Sequence, residues 1–325
     1  MLISVGLIAI GIVLLVLGGE SMLRGAVGLA TILRLTPAVI GLTVVAAGTS
    51  VPELAVSGIA AFQGSTEIAI GNVVGSNIFN ATVIVGMCAL IRPMAIVGNT
   101  IRLEYPVLVL VTLLCLVIAQ DGEINRLDAA LCVAIYVGFV AYLVAIVREQ
   151  ATPAEDKELK AEVKELTPAE NQPRALVCGT LLIAGIALLG GGAHATVTGA
   201  VGMARLLGWS EHVIGLTIVS AGTGLPEVVA SLISTIRGRS DLAIGNVSGS
   251  NLFNILVILG LSALASPLAV PPALIASDCW WMLGVTVLLF PMMFTGFRVS
   301  RWEGALLLGA YGLYLWLLLS GQSPG

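Results

Sequence analysis

Charge is what this sequence most lacks. Only 10 % of its 325 residues are Asp, Glu, Lys or Arg, against about a quarter in an ordinary soluble domain. That scarcity, with 58 % hydrophobic residues and a mean hydropathy of +1.03, excludes both a water-soluble globule and a disordered chain. Lysine occurs only at 157, 160 and 164, so no basic stripe exists for nucleic acid. The two histidines and the five scattered cysteines (Cys88, Cys115, Cys132, Cys178, Cys279) show no metal-ligand spacing. The cysteines all fall in apolar stretches and read as small packing residues, not as disulfides. A His-Glu-x-x-His motif, a Walker loop and a nucleophile–base pair are also missing, which leaves an enzymatic reading without support. No basic flank precedes the first apolar stretch, and Gly18, Gly19 and Glu20 follow it, against a cleaved signal peptide.

What is present is apolar length. A bilayer core takes about 20 mostly apolar residues per helix. That rule predicts an all-α integral membrane protein with ten transmembrane helices, near 3–27, 37–62, 67–91, 104–120, 127–147, 174–203, 212–236, 241–265, 278–296 and 302–320. Membrane strands are not expected, because the apolar runs lack alternation. Ten spans put thirteen of the fifteen Lys and Arg on one side, leaving only Arg126 and Arg205 on the other. The positive-inside rule then places both termini outside and the polar segment 148–173 in the cytoplasm of a prokaryotic cell (inner) membrane protein. Within that segment, Thr152–Glu155 and Thr167–Glu170 have capping-box form with proline at the first helical position, so it reads as a short solvated helical linker.

The chain repeats itself at an offset of 174. Residues 41–80 match 215–254 without a gap, and 22 of the 40 positions are identical. Gly48-Thr49-Ser50-Val51-Pro52-Glu53 answers Gly222-Thr223-Gly224-Leu225-Pro226-Glu227, and Gly75-Ser76-Asn77-Ile78-Phe79-Asn80 answers Gly249-Ser250-Asn251-Leu252-Phe253-Asn254. Each half, 1–147 and 174–325, holds five spans. An odd number forces the second half into the membrane upside down, giving an inverted repeat, an architecture of secondary transporters whose sites form between broken helices.

Pro52 and Pro226 interrupt their spans, which makes helices 2 and 7 broken and frees backbone carbonyls around Ala46–Thr49 and Ser220–Thr223. Glu53 and Glu227 follow directly. A carboxylate at membrane depth costs several kcal/mol unless it is paired or solvated, and no Lys or Arg shares their depth. Their counter-charge is therefore a cation or protons. Thr49, Ser50, Ser76, Asn77, Asn80, Thr223, Ser250, Asn251 and Asn254 complete a hard oxygen shell suited to Ca²⁺ or Na⁺ and unsuited to zinc or copper. Each hydroxyl or amide also has the blander reading of interhelical glue, and the Gly71/Gly75 and Gly245/Gly249 pairs read as close-packing surfaces. Glu67, Asp241, Glu20 and His194 read as solvated or interfacial groups at the ends of spans or loops, as do Asp121, Glu123 and Asp128. His212 beside Glu211 has no ligand spacing.

These paired blocks resemble the two α-repeats of the cation/calcium exchanger superfamily, specifically the short prokaryotic members of its sodium/calcium exchanger branch. The resemblance covers essentially the whole chain. It implies clustered sites between the broken second, third, seventh and eighth helices. Glu53 and Glu227 match the shared carboxylates, and Thr49, Thr223, Ser50, Ser76, Ser250, Asn80 and the carbonyls of Ala46 and Ser220 match other liganding positions. It further implies alternating access by sliding of the first and sixth helices. Two departures stand out. Gly224 takes the place of a serine like Ser50, and Asn254 stands where potassium-dependent members have aspartate, which argues against potassium dependence.

The resulting expectation is a secondary antiporter exchanging Na⁺ for Ca²⁺. Both ions are bound as cargo, with no cofactor, and no obligate protein partner is inferred beyond the lipid bilayer. A Ca²⁺/H⁺ or other divalent-cation antiporter is the alternative, since protons neutralise the same two glutamates. A passive cation channel is the third reading.

Overall fold

A computed structural model describes residues 2–33, 35–96, 100–150, 174–207 and 220–319. In it the apolar runs are helices, in the order α1 Leu2–Leu33, α2 Ala38–Thr49, α3 Val51–Phe62, α4 Thr66–Ile91, α5 Thr100–Ile118, α6 Arg126–Gln150, α7 Ala175–Leu206, α8 Ser220–Thr223, α9 Leu225–Ile236, α10 Ser240–Ala265, α11 Leu274–Phe297 and α12 Arg301–Leu319. Seven of these are long and apolar enough to cross a bilayer, and eight if the bent pair α2–α3 counts as one span. The short α9 and α12, which opens on Arg301 and Glu303, fall outside that count. Large side chains along α1 such as Ile10, Val13, Val16 and Leu17 are exposed, as outward faces of a multi-pass membrane protein must be when lipid is the solvent.

α1 and α7 each run 32 residues, about 48 Å at 1.5 Å per residue, longer than a bilayer core. Glu20 and His194 therefore lie inside these helices, not at span ends as the sequence suggested. The two helices pack antiparallel along a glycine stripe of seven-residue period, Gly11, Gly18 and Gly25 on α1 against Gly185, Gly192 and Gly199 on α7. A Cβ built on Gly18 would stand 2.8 Å from the Leu189 nitrogen, and one on Gly185 2.4 Å from the Met22 nitrogen. Backbones approach this closely only without side chains between them. Glu20 adds ion pairs to Arg24 at 3.1 Å and to Arg237, which follows α9, at 2.9 Å.

The repeat is written into the irregularities as well as the helices. Wide π-turns occupy Asn80–Ile84 and Asn254–Ile258, and again Thr100–Glu104 and Leu274–Asp278, each pair at the offset of 174. Another lies at Gly41–Val45, whose counterpart falls outside the described residues. Four two-residue strands, which the apolar pattern gave no reason to expect, clip the loops. Met94–Ala95 (β1) pairs with Arg298–Val299 (β4), and Glu123–Ile124 (β2) with Leu268–Ala269 (β3). They sit in connecting segments, where backbone groups need partners once the helices end.

α10 carries the centre of the fold. All but Asp241 of the residues from Ser240 to Phe253 are buried, and Gly245 and Gly249 admit the Ala38 and Leu42 carbonyls of the α2 segment, 2.4 and 2.2 Å from where a Cβ would be. That close packing agrees with the sequence reading. Gly71 and Gly75 on α4 are half-buried, and the repeat counterparts of Ala38 and Leu42, His212 and Leu216, lie outside the described residues. The linker 151–173 and His212 lie outside the described residues, and α6 extends three residues past the expected boundary at 147.

Candidate cation site

Pro52 and Pro226 do not kink the middle of a helix. Each sits in the first turn of a new one, α3 and α9, where its missing N–H would have had no partner. The breaks fall at Ser50 (φ −83°, ψ 11°) and Gly224 (φ −80°, ψ 0°), and α2 meets α3 at 48°. Glu53 and Glu227 therefore stand in first helical turns, at the positive end of a helix dipole. The run Ser50-Val51-Pro52-Glu53 has capping-box form, yet Ser50 does not cap α3. Its hydroxyl donates instead to Glu227 Oε1 at 2.9 Å, across the repeats.

Both glutamates are buried, at 2 and 1 % exposure, and near enough to repel each other. Thr223 hydrogen-bonds Glu53 as Ser50 does Glu227, so each carboxylate is held by a hydroxyl of the opposite half. Among the described residues no ion pair reaches either one. Among the described residues, one oxygen of each, Glu53 Oε2 and Glu227 Oε2, is buried with no partner, and the same holds for Ser250 Oγ and Asn254 Oδ1. Four unpartnered buried oxygens, two of them on carboxylates, are costly unless a cation completes them. No cluster of three His, Cys, Asp or Glu exists among the described residues, so any ion held here takes neutral oxygens for most of its shell.

The remaining candidates are placed unevenly. Asn80 and Asn254, at the π-turns of α4 and α10, give their amide groups to Asn251 Oδ1 and Asn77 Oδ1, both at 3.0 Å. Ser250 is fully buried, whereas Ser76 is half-buried and has no hydrogen bond to either glutamate among the described residues. The Ala46 carbonyl is engaged by the Ser50 N–H at 3.0 Å and the Thr49 hydroxyl at 3.3 Å. Ser220 opens α8.

Sequence reasoning missed a supporting layer. Asn72 donates to Ser57 Oγ at 2.9 Å and to the Glu53 carbonyl at 3.3 Å, tying α4 to α3. Its counterpart Asn246 donates to Ser231 Oγ at 3.0 Å and accepts from Thr49 at 3.3 Å. All four residues belong to the identical positions of the repeat, which was the available signal. Glu104 and Asp278 were also overlooked. They too are 174 apart, and each accepts one hydroxyl at 2.9 Å, from Thr100 and Tyr314. Asp241, read as interfacial, is clamped by the buried Arg239 at 2.8 Å.

The family model described as sodium/calcium exchanger protein matches residues 3–145 and 179–320, one stretch per repeat. The chain belongs to the sodium/calcium exchanger protein family. Among relatives of this family member, the putative antiporter CaxA of Alkalimonas amylolytica is 39 % identical over 98 % of this chain and 100 % of its own length. The sodium/calcium exchanger MaX1 of Methanosarcina acetivorans is 33 % identical over 96 and 97 %. A solved structure of the sodium–calcium exchanger NCX_Mj superposes with a TM-score of 0.82 at 28 % identity, covering 98 % of this chain and 99 % of that one. The chain is thus a helical, multi-pass membrane protein of an ion-exchanging family, similar in fold to NCX_Mj.

Proposed function

We propose that this family member is a secondary antiporter exchanging Na⁺ for Ca²⁺ by alternating access, built as two inverted five-helix repeats, 1–147 and 174–325, joined by a cytoplasmic linker. The observation that carries the reading is the Glu53–Glu227 pair: two buried carboxylates from opposite repeats, each with an unpartnered oxygen and no basic neighbour among the described residues. Two negative charges balance one Ca²⁺, and Ca²⁺ takes six to eight oxygens. The carboxylates, Thr49, Thr223, Ser50, Ser76, Ser250, Asn80, Asn254 and the Ala46 and Ser220 carbonyls are the oxygens proposed to serve it and Na⁺ in turn. Ions that share one pair of carboxylates cannot occupy it together, which is the physical basis of exchange.

The names of relatives support this pairing, MaX1 and NCX_Mj both being called sodium/calcium exchangers. Reconstituted protein should take up Ca²⁺ when an outward Na⁺ gradient is applied. Uptake driven by a pH gradient alone, with Na⁺ without effect, would replace this reading with Ca²⁺/H⁺ exchange. Uptake needing neither gradient would indicate a channel.

The thirteen-to-two distribution of basic residues supports an inner-membrane orientation with both termini outside. On a background lacking the five buried cysteines, a cysteine at 322 should be labelled from outside intact cells and one at 160 should not. The reverse pattern would overturn the orientation.

A further inference from the structure

Four asparagines meet between α4 and α10, two from each repeat, all buried to 2 % exposure or less. Asn251 Nδ2 donates to the Asn77 backbone carbonyl at 3.2 Å, and Asn77 Nδ2 donates to the Asn251 backbone carbonyl at 3.4 Å. The remaining oxygens of these two amides, Asn77 Oδ1 and Asn251 Oδ1, accept from Asn254 Nδ2 and Asn80 Nδ2, both at 3.0 Å.

A carbonyl can only accept. Each backbone carbonyl therefore dictates that the facing amide, Asn77 or Asn251, turns its NH₂ inward and its oxygen outward. That oxygen demands a donor, so Asn254 and Asn80 must present their NH₂ groups to it. Their own oxygens are then directed away from the cluster, and Asn254 Oδ1 is buried with no partner among the described residues. The sense of the whole network follows from two backbone atoms, and the carbonyls belong to the last turn before the π-turns at Asn80 and Asn254.

We propose that Asn77 and Asn251 are positioning residues: they touch no ion, and they fix Asn254 and Asn80 with the amide oxygen, not the NH₂, offered to the cation. The inference rests on the cation-site reading above. It also gives a reason for neutral residues at 80 and 254, because a carboxylate at 254 would set an oxygen against Asn77 Oδ1. An amide free to rotate would expose NH₂ to a cation for part of the time, with repulsion replacing a ligand. Residues that orient metal ligands in this way alter affinity by about 10- to 100-fold when removed.

The test is a double-mutant cycle on the purified full chain, with Ca²⁺ binding measured by titration calorimetry in Na⁺-free buffer and thermal unfolding measured alongside. Asn77→Leu, close to asparagine in shape, should weaken Ca²⁺ binding by about tenfold or more. Asn254→Leu should do the same, and the double variant should bind no more weakly than Asn254→Leu alone. Wild-type affinity in Asn77→Leu, or losses that multiply in the double variant, would overturn the proposal, since a purely structural asparagine lowers the unfolding temperature without this non-additivity. If Asn77→Leu fails to fold, the mirror cycle of Asn251→Leu with Asn80→Leu asks the same question. Glu53→Gln separates the two levels of inference. Wild-type protein that binds Ca²⁺ no better than Glu53→Gln sinks the cation site and this proposal with it, whereas loss in Glu53→Gln with none in Asn77→Leu sinks the positioning role alone.

Discussion

Ser50 of the first repeat donates its hydroxyl to Glu227 of the second at 2.9 Å, and the position that would return the gesture to Glu53 is Gly224. At this pair of positions the two repeats differ by one hydroxyl. Gly224 has φ −80° and ψ 0°, a conformation open to any residue, so no unusual backbone angle requires glycine there.

Gly224→Ser should therefore fold and add a neutral oxygen beside Glu53. Ca²⁺ retains both carboxylates either way, whereas Na⁺ depends more on each neutral ligand. The apparent Na⁺ affinity is expected to rise by roughly three- to tenfold, the worth of one hydrogen-bond-scale interaction, with Ca²⁺ affinity moving less. Na⁺ competition against Ca²⁺ binding measures this, and an unchanged Na⁺ midpoint in folded protein would refute it.

Glu53→Gln and Glu227→Gln are each expected to lower Ca²⁺ exchange by about a hundredfold or more while leaving the protein folded. Removing one of two charges leaves a divalent ion half-neutralised in a buried site, at a desolvation cost of several kcal/mol. Flux in proteoliposomes at matched protein content checks it; near-normal transport by either variant would remove that residue from the site.

The α1–α7 stripe should be intolerant of a single methyl. Gly185→Ala places a Cβ 2.4 Å from the Met22 nitrogen, forcing the helices apart at a cost of about 1–3 kcal/mol. Gly190→Ala, on the same helix with nothing within 4 Å among the described residues, should unfold at the wild-type temperature or above. Equal unfolding temperatures for the two variants would contradict the close contact.

Exchange of more than two Na⁺ for one Ca²⁺ should be electrogenic. Two carboxylates neutralise the divalent load, and a further Na⁺ leaves a net positive charge, worth about 2.3 kcal/mol per 100 mV. Proteoliposomes clamped with a K⁺ diffusion potential should then show voltage-dependent flux; voltage-independent flux at such a stoichiometry would exclude it.

The sequence alone determined the membrane class and the repeat, and singled out the two glutamates proposed as the centre of the chemistry. Each rests on a property that composition or identity preserves: apolar length, self-similarity at 174, and the cost of an unpaired charge among apolar residues. It could not show which partner each group would find. Ser50 has capping-box spacing but turns to Glu227, because the glutamate that needs a donor lies in the other half of the chain. Glu20, seemingly at the end of a span, lies inside a helix longer than a bilayer, since a glycine stripe continues the packing past it. The asparagines of one sequence motif divide into two kinds, Asn77 and Asn251 holding, Asn80 and Asn254 held. That division depends on which backbone carbonyl each amide meets across the repeats, a relation between segments 174 residues apart that only the tertiary structure creates.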